Sequence, residues 1–199
     1  MNSKISPSFL SKRNNEKEFS IKGFGDFIGL FLLSVLILLN SCANAKNIHK
    51  LSHFRKVDNV PFYAQETFQC GPSSLAGVLN YWGVTVEPEE IAKEIFSSSA
   101  RGTLNIDMAI YAQRKGLAAT LYEGNIKDLK ENIDSGIPVI VLVDYGYFLY
   151  QANHFMVVTG YNEQGVLVNS GKEQNKFIVE KDFLNIWKKA NYITLLIKK

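Results

Sequence analysis

Hydrophobic positions in the first half of the chain recur with the period of a helix. Apolar residues from Leu75 to Trp82 fall at i, i+3, i+4 and i+7, which predicts a helix that opens at Gly71-Pro72 and ends at Gly83. The same reasoning predicts further helices over 88–96, 104–114 and 125–134. This half of the chain is therefore expected to be mainly helical, with one strand over 117–122.

The second half of the chain has short apolar runs that are typical of strands. Val139–Val143 is continuously apolar and follows Gly136-Ile137-Pro138, which predicts a strand. Further strands are predicted over 155–161, 165–168, 177–179 and 192–197, with a helix over 182–188. Helices followed by strands favour the α+β class, here as helices packed on a C-terminal antiparallel sheet.

An uncharged apolar run over residues 27–39 precedes the sequence Leu39-Asn40-Ser41-Cys42-Ala43. Thirteen residues suit the core of a signal peptide and are short for a membrane span, which needs about 20. A small residue before the cysteine resembles the lipobox of bacterial lipoproteins, which implies cleavage before Cys42 and lipid on its thiol. An uncleaved anchor with an incidental Cys42 is the alternative.

This interpretation predicts a signal over 1–41, a tether over 42–58 and one domain over 59–199. It places the protein in the bacterial cell envelope, attached to a membrane through lipid on Cys42. In a double-membrane bacterium, Ala43 after the cysteine favours the periplasmic face of the outer membrane.

Composition excludes several classes of function. Residues 42–199 hold 17 Lys and Arg against 16 Asp and Glu, which argues against a nucleic-acid partner. The chain has no glycine-rich nucleotide motif. One domain histidine and one remaining cysteine do not make a usual zinc site, so neither a metal nor a cofactor is expected.

Two side chains could carry nucleophilic chemistry. Cys70 immediately precedes a predicted helix, whose N-terminal dipole and free N–H groups favour a thiolate and an oxyanion. His154 begins a predicted strand, whereas His49 and His53 lie in the predicted tether. A buried inert cysteine and a structural histidine are the alternatives, but a thiol and an imidazole together favour catalysis.

Other polar residues could complete such a site. Asn169 ends the strand after His154, so a hairpin would let its amide orient the imidazole; a simple turn residue is the alternative. Gln65 precedes Cys70 by five residues and could donate to an oxyanion, as could the adjacent Gln69. The aromatic loop over 144–150 is interpreted either as a wall of a substrate groove or as loop packing.

Two segments of the chain resemble a known family. The stretch over 60–83, with Gln69-Cys70-Gly71-Pro72, is similar to the nucleophile segment of the bacteriocin-processing, double-glycine leader cysteine peptidases of the papain-like clan. The stretch over 154–161 is similar to that family's histidine strand. The resemblance is closest to stand-alone, lipoprotein-type members, because the chain has no ATPase motif.

The resemblance implies a papain-like fold in which Cys70 is the nucleophile, His154 the base and acid, and Gln65 the oxyanion donor. Where this family usually has Asp-Pro, the chain has Asn169-Ser170, so Ser170 is a second candidate for the third residue. The family's glutamine usually precedes the cysteine by six residues rather than five.

The implied function is a lipid-anchored cysteine peptidase of the cell envelope that hydrolyses a peptide or protein. A substrate with a double-glycine leader is one candidate, and the sequence leaves a transporter partner open. Two other hypotheses stay open: acyl transfer or amide hydrolysis at the same site, and a catalytically silent peptide-binding lipoprotein.

Overall fold

The computed structural model describes residues 53–65, 69–99 and 102–199. No helix within these ranges is long and apolar enough to cross a bilayer. The predicted signal, Cys42 and most of the predicted tether lie outside the described residues. The elements are β1 Arg55–Lys56, α1 Cys70–Tyr81, α2 Pro88–Ile95, β2 Phe96–Ser97, β3 Gly102–Thr103, α3 Asn105–Arg114, β4 Ala118–Glu123, α4 Ile126–Asp134, β5 Val139–Asp144, β6 Asn153–Tyr161, β7 Gly165–Ser170, β8 Glu173–Val179, α5 Glu180–Lys189 and β9 Ile193–Lys198.

One antiparallel sheet organises the domain. Its strands lie in the order β4-β9-β5-β6-β7-β8, and the short β1 pairs with the far end of β6. Both faces of β5, β6 and β7 are almost entirely buried, because helices and loops cover the sheet on both sides. This double burial explains why these strands are nearly continuous apolar runs. The predicted α+β class is confirmed.

Helix α1 is buried on all sides rather than along one stripe. Every residue from Gly71 to Leu79 is buried. The helix can lie this deep because its other faces carry small residues. At Gly77, for example, a Cβ atom would lie 2.7 Å from the carbonyl oxygen of Pro61. The extended segment before the helix therefore packs directly on its backbone.

The C-terminal end of α1 is fixed by two long-range hydrogen bonds. The Tyr81 hydroxyl donates to the carbonyl oxygen of Gly136 at 2.7 Å, and the Trp82 indole donates to that of Ile197 at 3.0 Å. Along its length the helix contacts mainly β6. These bonds anchor the C-terminal end of α1 to its surroundings. They therefore help to fix Cys70, the first residue of α1, relative to the start of β6, where His154 lies.

Three parts of the fold differ from the sequence pattern. Arg55–Lys56, in the predicted tether, pairs with Tyr161 and Gly160 of β6. Phe96–Ser97 and Gly102–Thr103 form a small hairpin where a loop was expected. The sequence predicted a strand from residue 177, whereas strand β8 begins at Glu173. The first half of β8 is polar and exposed, so no apolar pattern marked it as a strand. Pairing with neighbours, and not composition, makes these segments strands.

Candidate active site

Cys70 is the first residue of α1 and lies half-buried beside the start of β6. The backbone N–H groups of Phe155 and Gly71 lie near its sulfur and favour its negative charge. The Phe155 contact brings the thiol to the residue next to His154. The Gly71 N–H belongs to the first turn of the helix, where N–H groups have no partner within the helix.

Gly71 lets the helix start approach β3 closely. A Cβ atom at this position would lie 2.8 Å from the Cβ of Thr103, closer than such atoms approach in real structures. Any side chain at residue 71 would push the start of α1 away from β3. The position of the neighbouring Cys70 sulfur therefore depends on this glycine.

The thiol of Cys70 favours its neutral form in the free site. Burial raises the pKa of Cys70 above its ordinary value, and the backbone N–H groups near the sulfur act in the opposite direction without cancelling that effect. The sequence predicted a lowered pKa from the helix N-terminus alone. The structure corrects that prediction, because the helix start lies deep enough for desolvation to dominate.

His154 is the second residue of β6, and its ring lies partly buried. Burial lowers the pKa of His154, and the positive charge of Lys176 lowers it further. The ring nitrogen Nε2 lies 3.0 Å from the Oγ atom of Ser170. The ring of Tyr145 packs against the imidazole at a centroid distance of 5.8 Å. The imidazole is therefore held on two sides and favours its neutral form.

Asn169 and Ser170 lie on opposite faces of the sheet. Asn169 pairs with Val157, three residues from His154, and an odd separation along a strand places side chains on opposite faces. Its Oδ1 atom accepts a hydrogen bond from the backbone N–H of Asn175 at 3.0 Å. The structure therefore does not bring the predicted third residue, Asn169, to the imidazole. It brings Ser170, whose Oγ atom lies 3.0 Å from Nε2 of His154.

Gln65 is buried between α1 and the end of β7. Its backbone N–H donates to the carbonyl oxygen of Gly171 at 2.8 Å, and its Oε1 accepts from the N–H of Gly171 at 3.1 Å. Its Nε2 lies 3.5 Å from the Oγ of Ser74, one helical turn after Cys70. The predicted glutamine is thus held between the two elements that carry the thiol and Ser170.

Gln69 occupies the N-cap position of α1, and its carbonyl oxygen accepts a hydrogen bond from the N–H of Ser73 at 3.0 Å. This backbone role differs from that of Gln65, whose side chain points into the domain. Among the described residues, no group of three His, Cys, Asp or Glu side chains could hold a metal ion.

Three features of the site have no clear signal in the sequence. The N–H of Phe155 meets the thiol, Tyr145 packs on the imidazole, and Lys176 acts on the imidazole from β8. Each depends on strand pairing across the sheet. The alternation of side chains along β7 could have favoured Ser170 over Asn169, but only with the register of β6 and β7 known.

A thiol at the start of a central helix, an imidazole at the start of the facing strand and an antiparallel sheet around them define the papain-like class of cysteine peptidase folds. The chain belongs to the Peptidase_C39-like family, whose sequence model matches residues 57–195. The resemblance to the double-glycine leader peptidases stated from the sequence is confirmed at the level of the family. Membership in this family supports a cysteine peptidase function.

Several known proteins are similar to this chain. A protein of undescribed function from Methanothermobacter thermautotrophicus is 30% identical over 109 residues, 55% of this chain and 69% of that protein. A crystallised chain from Bacillus anthracis, described as a C39-like peptidase, has a TM-score of 0.62 at 18% identity and covers 74% of this chain and 98% of its own.

Two transporter-associated peptidase domains have the same fold. The peptidase domain of Streptococcus ComA, a bi-functional ABC transporter, has a TM-score of 0.60 at 19% identity over 70% of this chain and 98% of that one. A double-glycine-motif protease from an AMS/PCAT transporter, crystallised with its leader peptide, has a TM-score of 0.59 at 24% identity over 72% and 93%.

Proposed function

We propose that this protein is a cysteine peptidase that hydrolyses a peptide or protein in the bacterial cell envelope. The observation that carries the proposal is that the Cys70 sulfur, at the start of α1, lies by the backbone N–H of Phe155, the residue directly after His154. A nucleophile next to a base, which is itself held by a third group, is the arrangement that covalent catalysis requires.

The reaction follows from the neutral state of both groups. As the Cys70 sulfur attacks the scissile carbonyl, its proton passes to His154 and a carbon–sulfur bond forms. His154 then protonates the leaving amine, the carbon–nitrogen bond breaks and a thioester remains on Cys70. Water, deprotonated by His154, then attacks the thioester carbon, the carbon–sulfur bond breaks, and His154 returns the proton to the Cys70 sulfur as the acid leaves. His154 starts as a base because burial keeps its pKa low.

Ser170 acts as the positioning residue for the imidazole. Its contact with Nε2 leaves Nδ1 as the nitrogen that exchanges a proton with Cys70. When Nε2 carries its proton and donates to Ser170, the base is fixed in the required tautomer. The developing oxyanion is stabilised by the Cys70 N–H and by the amide of Gln65, whose Nε2 is directed towards α1.

The substrate is inferred to be a peptide. A neighbour with the same fold was crystallised with a leader peptide, which supports a peptide rather than a small molecule here. We therefore propose that a segment ending in two glycines is one sequence that fits the site.

The test incubates the full chain with a fluorogenic peptide library that includes Gly-Gly sequences, followed by intact-mass analysis. Wild type should cleave peptides and carry an acyl mass on Cys70, whereas Cys70→Ala and His154→Ala should do neither. Asn169→Ala serves as the matched control, because its side chain faces away from the imidazole. Equal cleavage by wild type and Cys70→Ala, or none by either, would overturn the proposal.

We further propose that lipid on Cys42 attaches the protein to a membrane. The apolar run over 27–39 and the position of the cysteine directly after it support this modification. Growth with a labelled fatty acid should label the wild-type chain and leave Cys42→Ser unlabelled. Equal labelling of both would refute the anchor and leave the peptidase proposal standing.

A further inference from the structure

The hairpin loop between β5 and β6 projects four consecutive hydrophobic side chains into solvent. Tyr147, Phe148, Leu149 and Tyr150 are 87%, 92%, 89% and 75% exposed. Single exposed apolar residues are common on protein surfaces, but a contiguous group of large ones marks an interaction surface. We refer to these four residues as the apolar tip.

The loop that carries the apolar tip is built to hold its shape. The buried Asp144 carboxylate accepts hydrogen bonds from the N–H groups of Gly146 and Ala152, at 2.7 and 2.8 Å, and so joins the two limbs of the loop. Lys189 of α5 donates to the carbonyl oxygen of Gly146 at 2.8 Å. These hydrogen bonds hold the residues at the base of the loop in place beneath the apolar tip.

Two backbone features show that the conformation is specific. Phe148 has a φ of 58°, the left-handed region that bulky residues rarely adopt. A Cβ atom at Gly146 would lie 2.7 Å from the Asp144 carboxylate and would collide with the backbone of Tyr150. Strained positions of this kind persist where the surrounding structure imposes them, and they cluster at functional sites.

We propose that the apolar tip inserts into the surface of an anionic phospholipid membrane. Each of the four side chains is exposed on at least 75% of its surface, so a fluid lipid layer can surround all four at once. Three of them, Phe148, Leu149 and Tyr150, border an open hollow together with Lys189, which brings a positive charge beside the apolar side chains. The tip combines two tyrosines with a phenylalanine and a leucine, which suits the boundary between headgroups and acyl chains. There a tyrosine ring lies among the acyl chains while its hydroxyl stays hydrated.

The charges around the apolar tip favour anionic lipid. The loop from Tyr145 to Ala152 carries no charged side chain. Of the carboxylates near its base, Asp144 is buried and engaged by backbone N–H groups, and Glu173, whose charge acts on Tyr145, is paired with Lys176. Lys189 and the neighbouring Lys188, at the end of α5, place positive charge next to the base of the loop. Positive charge beside an apolar insertion is the usual complement of an anionic membrane surface.

This inference rests on the proposed membrane attachment through Cys42. Residues 43–52 span at most about 35 Å when fully extended. They lead to β1, which pairs with the end of β6 opposite the loop, and the nine residues of β6 cover about 30 Å, so this reach is enough for the tip of an anchored domain to meet the bilayer. Because Tyr145 at the base of the loop packs on His154, insertion would hold the catalytic cleft next to the membrane. Peptides would then meet the site as they leave the bilayer.

The experiment places a tryptophan in the tip of the full chain. Leu149→Trp is compared with Phe96→Trp, an exposed apolar position of β2 at 42% exposure, after subtraction of the wild-type signal of Trp82 and Trp187. The proteins are reconstituted in vesicles of phosphatidylcholine with phosphatidylglycerol, with or without lipids that carry a doxyl quencher. The emission maximum and the quenching of each variant are measured.

The Leu149→Trp signal should shift to shorter wavelength and be quenched as expected at a depth of roughly 5–10 Å, whereas Phe96→Trp should keep the signal of a tryptophan in water. Pure phosphatidylcholine should reduce the effect. Equal, weak quenching of both variants would overturn the inference. A Phe148→Ser change that lowers peptide hydrolysis equally with and without vesicles, in the absence of quenching, would assign the tip to substrate instead.

Failure of this inference and failure of the proposed function are distinguishable. A chain that cleaves peptides but shows no quenching at residue 149 retains the peptidase proposal and loses the membrane contact. A chain that shows quenching without any dependence of cleavage on Cys70 retains the membrane contact and loses the peptidase proposal.

Discussion

Replacing Ser170 with alanine tests which residue positions the imidazole. The change removes the Oγ atom that lies 3.0 Å from Nε2 of His154 and leaves a ring held only by packing against Tyr145. A hydrogen bond between neutral groups contributes about 0.5–1.5 kcal/mol, and one from a charged donor about 1.5–3 kcal/mol. The imidazole becomes charged when it takes the Cys70 proton, so the contact strengthens by about 1–1.5 kcal/mol as the reaction proceeds.

That difference corresponds to a rate reduction of about fivefold to about tenfold in Ser170→Ala. The assay is the release of p-nitrophenol from an acyl-Gly-Gly p-nitrophenyl ester, which reports acylation of Cys70 without knowledge of the natural substrate. Asn169→Ala is the matched control. It removes a buried hydrogen bond to Asn175 on the opposite face, so it should lower the stability by about 1–3 kcal/mol and change the acylation rate little.

The reasoning is refuted if Ser170→Ala acylates within about twofold of wild type, a margin that corresponds to less than about 0.5 kcal/mol. It is equally refuted if Asn169→Ala loses the greater share of the rate while its thermal unfolding is unchanged. That result would restore Asn169 as the residue that orients the imidazole.

Three other changes test the electrostatics and packing of the site. Because the pKa of His154 is lowered, the acid limb of the pH profile of kcat/KM should have its midpoint below the ordinary histidine value of about 6.5. Ser170→Asp should move this midpoint upward. A wild-type midpoint above about 6.5 would contradict a buried, neutral base. Because the pKa of Cys70 is raised, its alkylation by iodoacetamide should become half-maximal at a higher pH than that of a free cysteine in the same buffer; an earlier midpoint would indicate a preformed thiolate. Gly77→Ala places a Cβ atom 2.7 Å from the carbonyl oxygen of Pro61, so it should lower the free energy of unfolding by about 1–3 kcal/mol in urea titrations. Unchanged stability would show that the segment before α1 moves freely.

His154 also links stability to pH. A histidine whose pKa is lower in the folded state than in the unfolded state binds fewer protons when folded. The stability that neutral His154 contributes is therefore fully present above its unfolded-state pKa of about 6.5. It declines as the pH falls from there towards the folded-state pKa. In His154→Gln this decline should be smaller than in wild type, as thermal unfolding across that range would show.

The parts of the fold with periodic apolar residues could be predicted from the sequence. Helix α1 and strands β5, β6 and β7 are specified by the spacing of their own residues, and so are the starts at which Cys70 and His154 lie. The polar half of β8 and the two residues of β1 become strands only through their partners. Their own side chains are exposed, so no hydrophobic pattern marks them.

The choice between Asn169 and Ser170 shows a second limit of sequence reasoning. The two residues are adjacent, both are polar, and both end the strand that follows His154. Only the pairing of Asn169 with Val157 decides which one faces the imidazole, since a shift of one residue in register would exchange them. The depth of Cys70 below the surface is likewise a property of the packed domain, so the direction of its pKa shift could not be predicted from its place before a helix.

The neutral forms of Cys70 and His154 explain how the single thiol of residues 59–199 could escape oxidation. Thiolates, not thiols, are oxidised and alkylated, and in the proposed location in the cell envelope no reducing pool would protect a thiolate. Burial keeps the proton on the Cys70 sulfur in the free site, and burial together with Lys176 keeps His154 from taking charge. The N–H groups of Phe155 and Gly71 nevertheless lie by the sulfur, and Ser170 lies by Nε2. The site thus holds groups that stabilise a thiolate–imidazolium pair, although burial disfavours that pair in the free site. In the proposed reaction the proton therefore moves to His154 only as the sulfur attacks a carbonyl carbon.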